Sequence, residues 1–135
     1  MQQSELATLM TECAADAIKT AQEEFNIELN GEANSVPLID DILLSFLDKY
    51  HDSALEDSAV FTICNVYGAY IGECYRNIAG GQWRYDESNP DAPFVVLDVG
   101  ERSYAFAGIC YERLVNDSNI SVAEYFNQAL KQRQQ

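Results

Sequence analysis

Apolar residues recur at helical spacing through most of the chain, giving way to alternation in one central stretch. Leu6, Met10, Cys13, Ala14, Ala17, Ile18, Ala21 and Phe25 share one face of a helix expected from about Glu5 to Glu24. Glu12, Asp16, Lys19 and Glu23 occupy its other side. Asn26 to Gly31 ends it, with Ile27 and Leu29 alternating against Glu28 as a short extended segment and Gly31 making the turn. Ser35 suits an N-cap, and Pro37 is tolerated in the first turn of a second helix, about Val36 to Tyr50. That helix is expected to bury Ile39, Ile42, Leu43, Phe46, Leu47 and Tyr50, leaving Asp40, Asp41 and Asp48 outside.

Ser53-Ala54-Leu55-Glu56 has the form of a capping box, and a third helix is expected to run from there to Ala79, with Gly80 as its left-handed cap. This helix is apolar nearly all round, from Val60 to Ile78, so it must be covered on several sides. Gly68 and Gly72, four apart, cut a notch where another backbone can come close. The period then changes. Gln82 to Tyr85 and Phe94 to Val99 read as strands, Gly100-Glu101 as a turn, and Arg102 to Ala107 as a returning hairpin strand. Gly108 to Val115 resumes helical spacing. A second capping box, Ser121-Val122-Ala123-Glu124, opens the last helix, with Ile120 and Tyr125 placed as a hydrophobic staple. Helices, a small antiparallel sheet of two to four strands and more helices make an α+β fold with about five helices, expected as one globular domain over residues 1–135.

Charge changes this picture from architecture to interaction. The net charge is −14, and it is unevenly placed: thirteen acids up to Asp57 face only Lys19 and Lys49. Folding gains nothing from crowding like charges, whereas such a field steers a cationic partner or aids solubility. A hydrophobic content of 47% is too high for a disordered acidic tail. No apolar run approaches the roughly 18 residues of a membrane span, and Met1-Gln2-Gln3-Ser4-Glu5 lacks the form of a secretory leader, so a cytoplasmic location is expected. Scattered bases under a strong negative charge argue against nucleic-acid binding.

The candidate chemistry is sparse. Cys13, Cys64, Cys74 and Cys110 form no C-x-x-C pair and His51 is the sole histidine, so the cysteines read as reduced, buried thiols and no metal site is expected. His51, beside Asp52, lacks a recognisable partner for general-base work. Asp86 to Asp91 has the oxygen-rich look of a calcium loop without its glycine and distal glutamate. Glu73 and Arg76, three apart near Trp83 and Arg84, read either as the charged floor of a pocket or as an ion pair tying helix to sheet. Tyrosines are numerous; most are assigned to the core or its boundary, and Tyr85 is the best candidate for an exposed anchor.

Phe25-Asn26-Ile27-Glu28-Leu29, Ser35 with Leu38-Ile39-Asp40-Asp41-Ile42-Leu43, Tyr67-Gly68-Ala69-Tyr70-Ile71-Gly72-Glu73 and Gly80-Gly81-Gln82-Trp83 together resemble a pattern in small uncharacterised bacterial α+β proteins. In size and acidity the chain also resembles immunity proteins of bacterial toxin systems. That second resemblance implies a non-catalytic protein without cofactor, covering a basic surface of a toxin. The expected contact residues are Asp40, Asp41, Asp48, Asp52, Glu56 and Asp57, with Tyr85, Asp86, Glu87 and Asp91 as a second group. The alternatives are an acidic chaperone for a secreted effector, recognisable by an exposed apolar groove, and a housekeeping domain whose acidity serves solubility.

Overall fold

The computed structural model describes residues 3–51, 57–86, 94–117 and 119–133. Helix α1 (Gln3–Phe25) and helix α2 (Val36–His51) are joined by an irregular segment closed by a single 3₁₀ turn at Ala33–Ser35. Helix α3 (Asp57–Ala79) leads into strands β1 (Gln82–Asp86), β2 (Phe94–Val99) and β3 (Arg102–Tyr104). Helix α4 (Phe106–Tyr111) continues into a wide π turn at Glu112–Asn116, and α5 (Val122–Arg133) follows. The strands form one antiparallel sheet in the order β1-β2-β3. The fold is therefore α+β, with five α-helices among the described residues.

The apolar face of α1 is the one its spacing predicts: Leu6, Met10, Ala14, Ala17 and Ala21 are all buried, although Ile18 stands exposed. Its small alanines let α1 lie close against α3. Asn26 takes a left-handed conformation, φ 56°, and the amides of Asn26 and Ile27 return to Gln22 O and Ala21 O. Ile27 to Leu29 therefore joins no ladder; Leu29 is a core plug on a helix-ending turn. The expected serine cap of α2 is also different. The Ser35 hydroxyl is buried and donates to Glu32 O, while its oxygen meets Tyr70 Oη, which in turn accepts the Gly31 amide at 2.8 Å. A buried tyrosine on α3 thus fixes the α1–α2 connection.

The glycine notch of α3 is filled from two sides. A Cβ on Gly68 would lie 2.6 Å from the Ala107 backbone, so α4 crosses α3 in near contact there. A Cβ on Gly72 would overlap the Trp83 indole. This close crossing is why the third strand is short. Residue 105 leaves the ladder, its amide bonded to Tyr125 Oη at 3.1 Å, and Ala107 enters as helix rather than strand. Gly80, φ 77°, ends α3 with its amide on Arg76 O. The capping box expected at Ser53–Glu56 lies outside the described residues.

Trp83, Leu97 and Tyr104 are register neighbours across the three strands and form the sheet's buried face. Behind them Tyr75 is the centre of an aromatic cluster, with ring centroids 5.2 Å from Tyr104, 5.8 Å from Phe106 and 5.9 Å from Phe126. Its hydroxyl donates to Ala129 O at 3.0 Å, so the phenol is satisfied inside the core. On the opposite face Arg84 grips Asp98 through two nitrogens, at 2.8 and 3.3 Å, and Ser103 donates to the same carboxylate. The Arg84 hydrogen bonds hold the Asp98 carboxyl below its usual value despite some desolvation.

Candidate functional site

Glu73 is a carboxylate at the core edge with three donors around it. Its Oε2 accepts from Arg76 Nη1 at 2.7 Å and from the Trp83 indole at 3.3 Å, and its Oε1 accepts from Thr11 at 3.0 Å. Arg76 also reaches Gly81 O at 3.3 Å. One carboxylate thereby joins α1, α3 and the start of β1. Arg76 and Trp83 donate to Glu73, and Thr11 shares its hydroxyl hydrogen between Glu73 and Ala7 O, which makes the helix-to-sheet tie. A cleft of about 230 Å³ opens beside it, bordered by Thr11, Ile18, Tyr70 and Cys74. Burial pushes the Cys74 thiol up to about 11, so no reactive thiolate faces that cleft near neutral pH.

The other cysteines behave alike. Cys64 and Cys110 are fully buried, burial raising Cys64 to about 12 and Cys110 well above its ordinary value. Cys13, partly buried, is raised by burial first and then by the neighbouring charges of Asp16 and Glu12. All four are free thiols. Among the described residues no group of three or more histidines, cysteines or acids is arranged to hold a metal ion.

Asp40 corrects the expectation of an acidic outer face on α2. Its side chain is only 15% exposed and turns inward, towards α5. Oδ1 accepts the Val122 amide at 2.7 Å; Oδ2 accepts the Ala123 amide at 3.1 Å and the Ser121 hydroxyl at 3.0 Å. Ser121 Oγ in turn accepts the Glu124 amide at 3.1 Å. The first three orphan amides of α5 are therefore capped, two of them by a carboxylate from another helix, where the helix dipole also favours negative charge. Arg113 completes the arrangement 3.3 Å from Oδ1, with further bonds to Asp40 O and Ile120 O. Sequence showed Ser121 as a cap but gave no sign that Asp40, eighty-two positions before Val122, would share it.

Asp41, next in sequence, is exposed, and so is Tyr85, 44% accessible on β1. Asp48, Asp52, Glu56, Asp57, Asp86, Glu87 and Asp91 lie, wholly or by their side chains, outside the described residues. Tyr50 and His51 do so by their side chains.

The described acids converge instead on α1. At about 100° per residue, Glu5, Glu12, Asp16 and Glu23 fall within about 20° of a single line, and the line is about 27 Å long. All four are exposed, and Lys19 is the one base on that helix. Three of the chain's eight bases, Arg76, Arg84 and Arg113, are neutralised within the fold by Glu73, Asp98 and Asp40. Among the described residues no ion pair engages these α1 carboxylates, and Lys19 is the only base on their helix. The i, i+7, i+11, i+18 spacing of these four acids is present in the sequence.

No family model and no curated protein matches this chain. Its fold is similar to that of a protein from Bacteroides thetaiotaomicron VPI-5482, with a crystal structure at 1.50 Å resolution and a TM-score of 0.61. The two are 14% identical over 98% of this chain and 46% of that one. At that identity the likeness shows the fold alone, and the chain spans less than half of that protein's length. No helix among the described residues is long and apolar enough to cross a membrane.

Proposed function

We propose that this chain is a non-catalytic acidic binding protein that covers a basic surface of a protein partner, in the manner of an immunity protein neutralising a bacterial toxin. The observation that carries the reading is the straight row of exposed carboxylates on α1. Holding like charges in line destabilises the compact state, while complementary potentials accelerate encounter with a cationic surface and select against acidic ones. The paired acids support the same reading from the other side. Glu73, Asp98 and Asp40 are each committed to donors of the fold, whereas the row on α1 takes part in none of the ion pairs among the described residues.

The contact set proposed here is Glu5, Glu12, Asp16 and Glu23, with Asp41 as an outlying member and Tyr85 on the sheet as a separate anchor. The proposed location is the cytoplasm, where a toxin-producing cell would need protection. The test is co-purification of the tagged chain with the product of the neighbouring gene. A stable one-to-one complex that blocks that product's toxicity supports the proposal. A neighbour that is toxic yet neither binds nor is neutralised by this chain contradicts it.

A further inference from the structure

We infer that Asn30–Gly31 is a self-modification site, where the chain converts Asn30 to aspartate or isoaspartate, and that Tyr70 keeps it locked in the native state. It is the only Asn–Gly pair in the sequence. Glycine has no Cβ to shield its amide nitrogen, so that nitrogen reaches the preceding side-chain amide with the least hindrance. In the reaction a solvent base removes the Gly31 amide proton, and the nitrogen bonds to Asn30 Cγ. Nδ2 leaves as ammonia, taking a proton from water, and a five-membered imide closes. Water then adds to either imide carbonyl and opens the ring to an aspartyl or an isoaspartyl residue. Water is the only co-reactant.

Three hydrogen bonds oppose the first step. The Gly31 amide donates to Tyr70 Oη at 2.8 Å, which ties down the nucleophile by its own proton. Burial raises the phenol above its ordinary value, so near pH 8 it stays protonated and does not act as the base. The Asn30 side-chain amide is held at both ends: Oδ1 accepts the Glu32 amide at 2.9 Å, and Nδ2 donates to Asn34 Oδ1 at 3.0 Å. Crowding adds little. Among the described residues no atom lies within 4 Å of the position a Gly31 Cβ would take, and Asn30 is exposed. Of the partners in this lock, Tyr70 is the one anchored in the core. Opening of the connector between α1 and α2 releases all three bonds. In the isoaspartyl product the backbone runs through Cγ and is one carbon longer, so Gly31 no longer meets Tyr70 as before. Modification thus marks irreversibly those molecules whose connector has opened, whichever partner the chain binds.

The test is timed incubation of the full chain at pH 8, followed by peptide mapping with mass spectrometry and enzymatic methylation of isoaspartate. In the urea-unfolded chain Asn30 should convert at least about tenfold faster than in the native parent. Tyr70→Phe keeps the ring and removes the acceptor, and its Asn30 should convert about fivefold faster than the parent's. Asn34→Ala, an exposed change that frees one end of the Asn30 amide, should give about a twofold increase. Low urea separates local from global opening: below the unfolding transition the Tyr70→Phe rate should hardly change. Equal rates in the native and unfolded parent, or in Tyr70→Phe and the parent, overturn the inference. So does a Tyr70→Phe rate that climbs with low urea in step with global unfolding, or conversion mainly at Asn34–Ser35 instead of Asn30.

Discussion

Asp40 and Asp41 are neighbours in sequence with opposite surroundings, and substituting each by alanine separates a structural acid from a surface one. Asp40→Ala removes the acceptor of two α5 amides and one hydroxyl and deletes the carboxylate facing Arg113. Losing a helix cap costs about 1 kcal/mol, and removing one partner of a buried ion pair costs about 3–5 kcal/mol. The second figure must be reduced here. Arg113 keeps its bonds to Asp40 O and Ile120 O, both backbone groups, and the pair retains 12% and 15% exposure. A net loss of about 3 kcal/mol follows. Asp41→Ala, exposed and outside this network, should change stability by less than about 0.5 kcal/mol. Urea unfolding followed by circular dichroism at neutral pH measures both, with unchanged m values identifying a true stability effect. Combining Asp40→Ala with Arg113→Met should cost less than the two single losses added, because neither charge is then stranded. An Asp40→Ala protein within about 0.5 kcal/mol of the parent would refute the capping role and return Asp40 to the surface.

Three further outcomes follow from the packing and the buried thiols. Gly68→Ala and Gly72→Ala should each lower stability by about 2 kcal/mol in urea unfolding, since crowding against the Ala107 backbone or the Trp83 indole outweighs the better helix propensity of alanine. Gly108→Ala, where the nearest atom is a methyl at 3.2 Å, should stay within about 1 kcal/mol. Cys64 and Cys74, raised by burial to about 12 and about 11 against 9.0 in the unfolded chain, bind protons that the unfolded chain loses first. Their stabilisation is complete below pH 9 and disappears as pH climbs toward the folded values, so the urea midpoint should fall between about pH 9 and 11 by an amount equivalent to about 2 kcal/mol per thiol. Cys64→Ala should flatten that fall; an unchanged slope would contradict the assignment. Native thiols should react slowly with Ellman's reagent at pH 8, at a rate that follows unfolding, with partly exposed Cys13 reacting first.

Helical spacing predicted α1, α2 and α3 to within a few residues because each buries a continuous apolar face, a local property of the sequence. The Gly68–Gly72 notch was equally readable, since only a close neighbour explains two glycines one turn apart inside a helix. The extent of β3 was not. Arg102 to Ala107 alternates well enough for a strand, and only the crossing of Ala107 over Gly68 converts its end to helix. The π turn at Glu112–Asn116, closed by the Asp117 amide on Glu112 O at 2.8 Å, carries no periodic signature either. For the site, residue type gave the charge but not its use. Glu73 as the tie between helix and sheet is one of the two readings that its spacing to Arg76 offers, whereas Asp40 looks like any outer acid because its partners lie far along the chain.

The binding proposal is tested most directly by the salt dependence of association with the neighbouring gene's product, measured by calorimetry for the parent chain and for Glu12→Lys/Asp16→Lys. Affinity should drop steeply as ionic strength rises, and the double reversal, at exposed positions that leave the fold intact, should abolish most of that dependence together with the binding itself. Tight association indifferent to both salt and the two lysines would show that the acidic row of α1 is not the docking face.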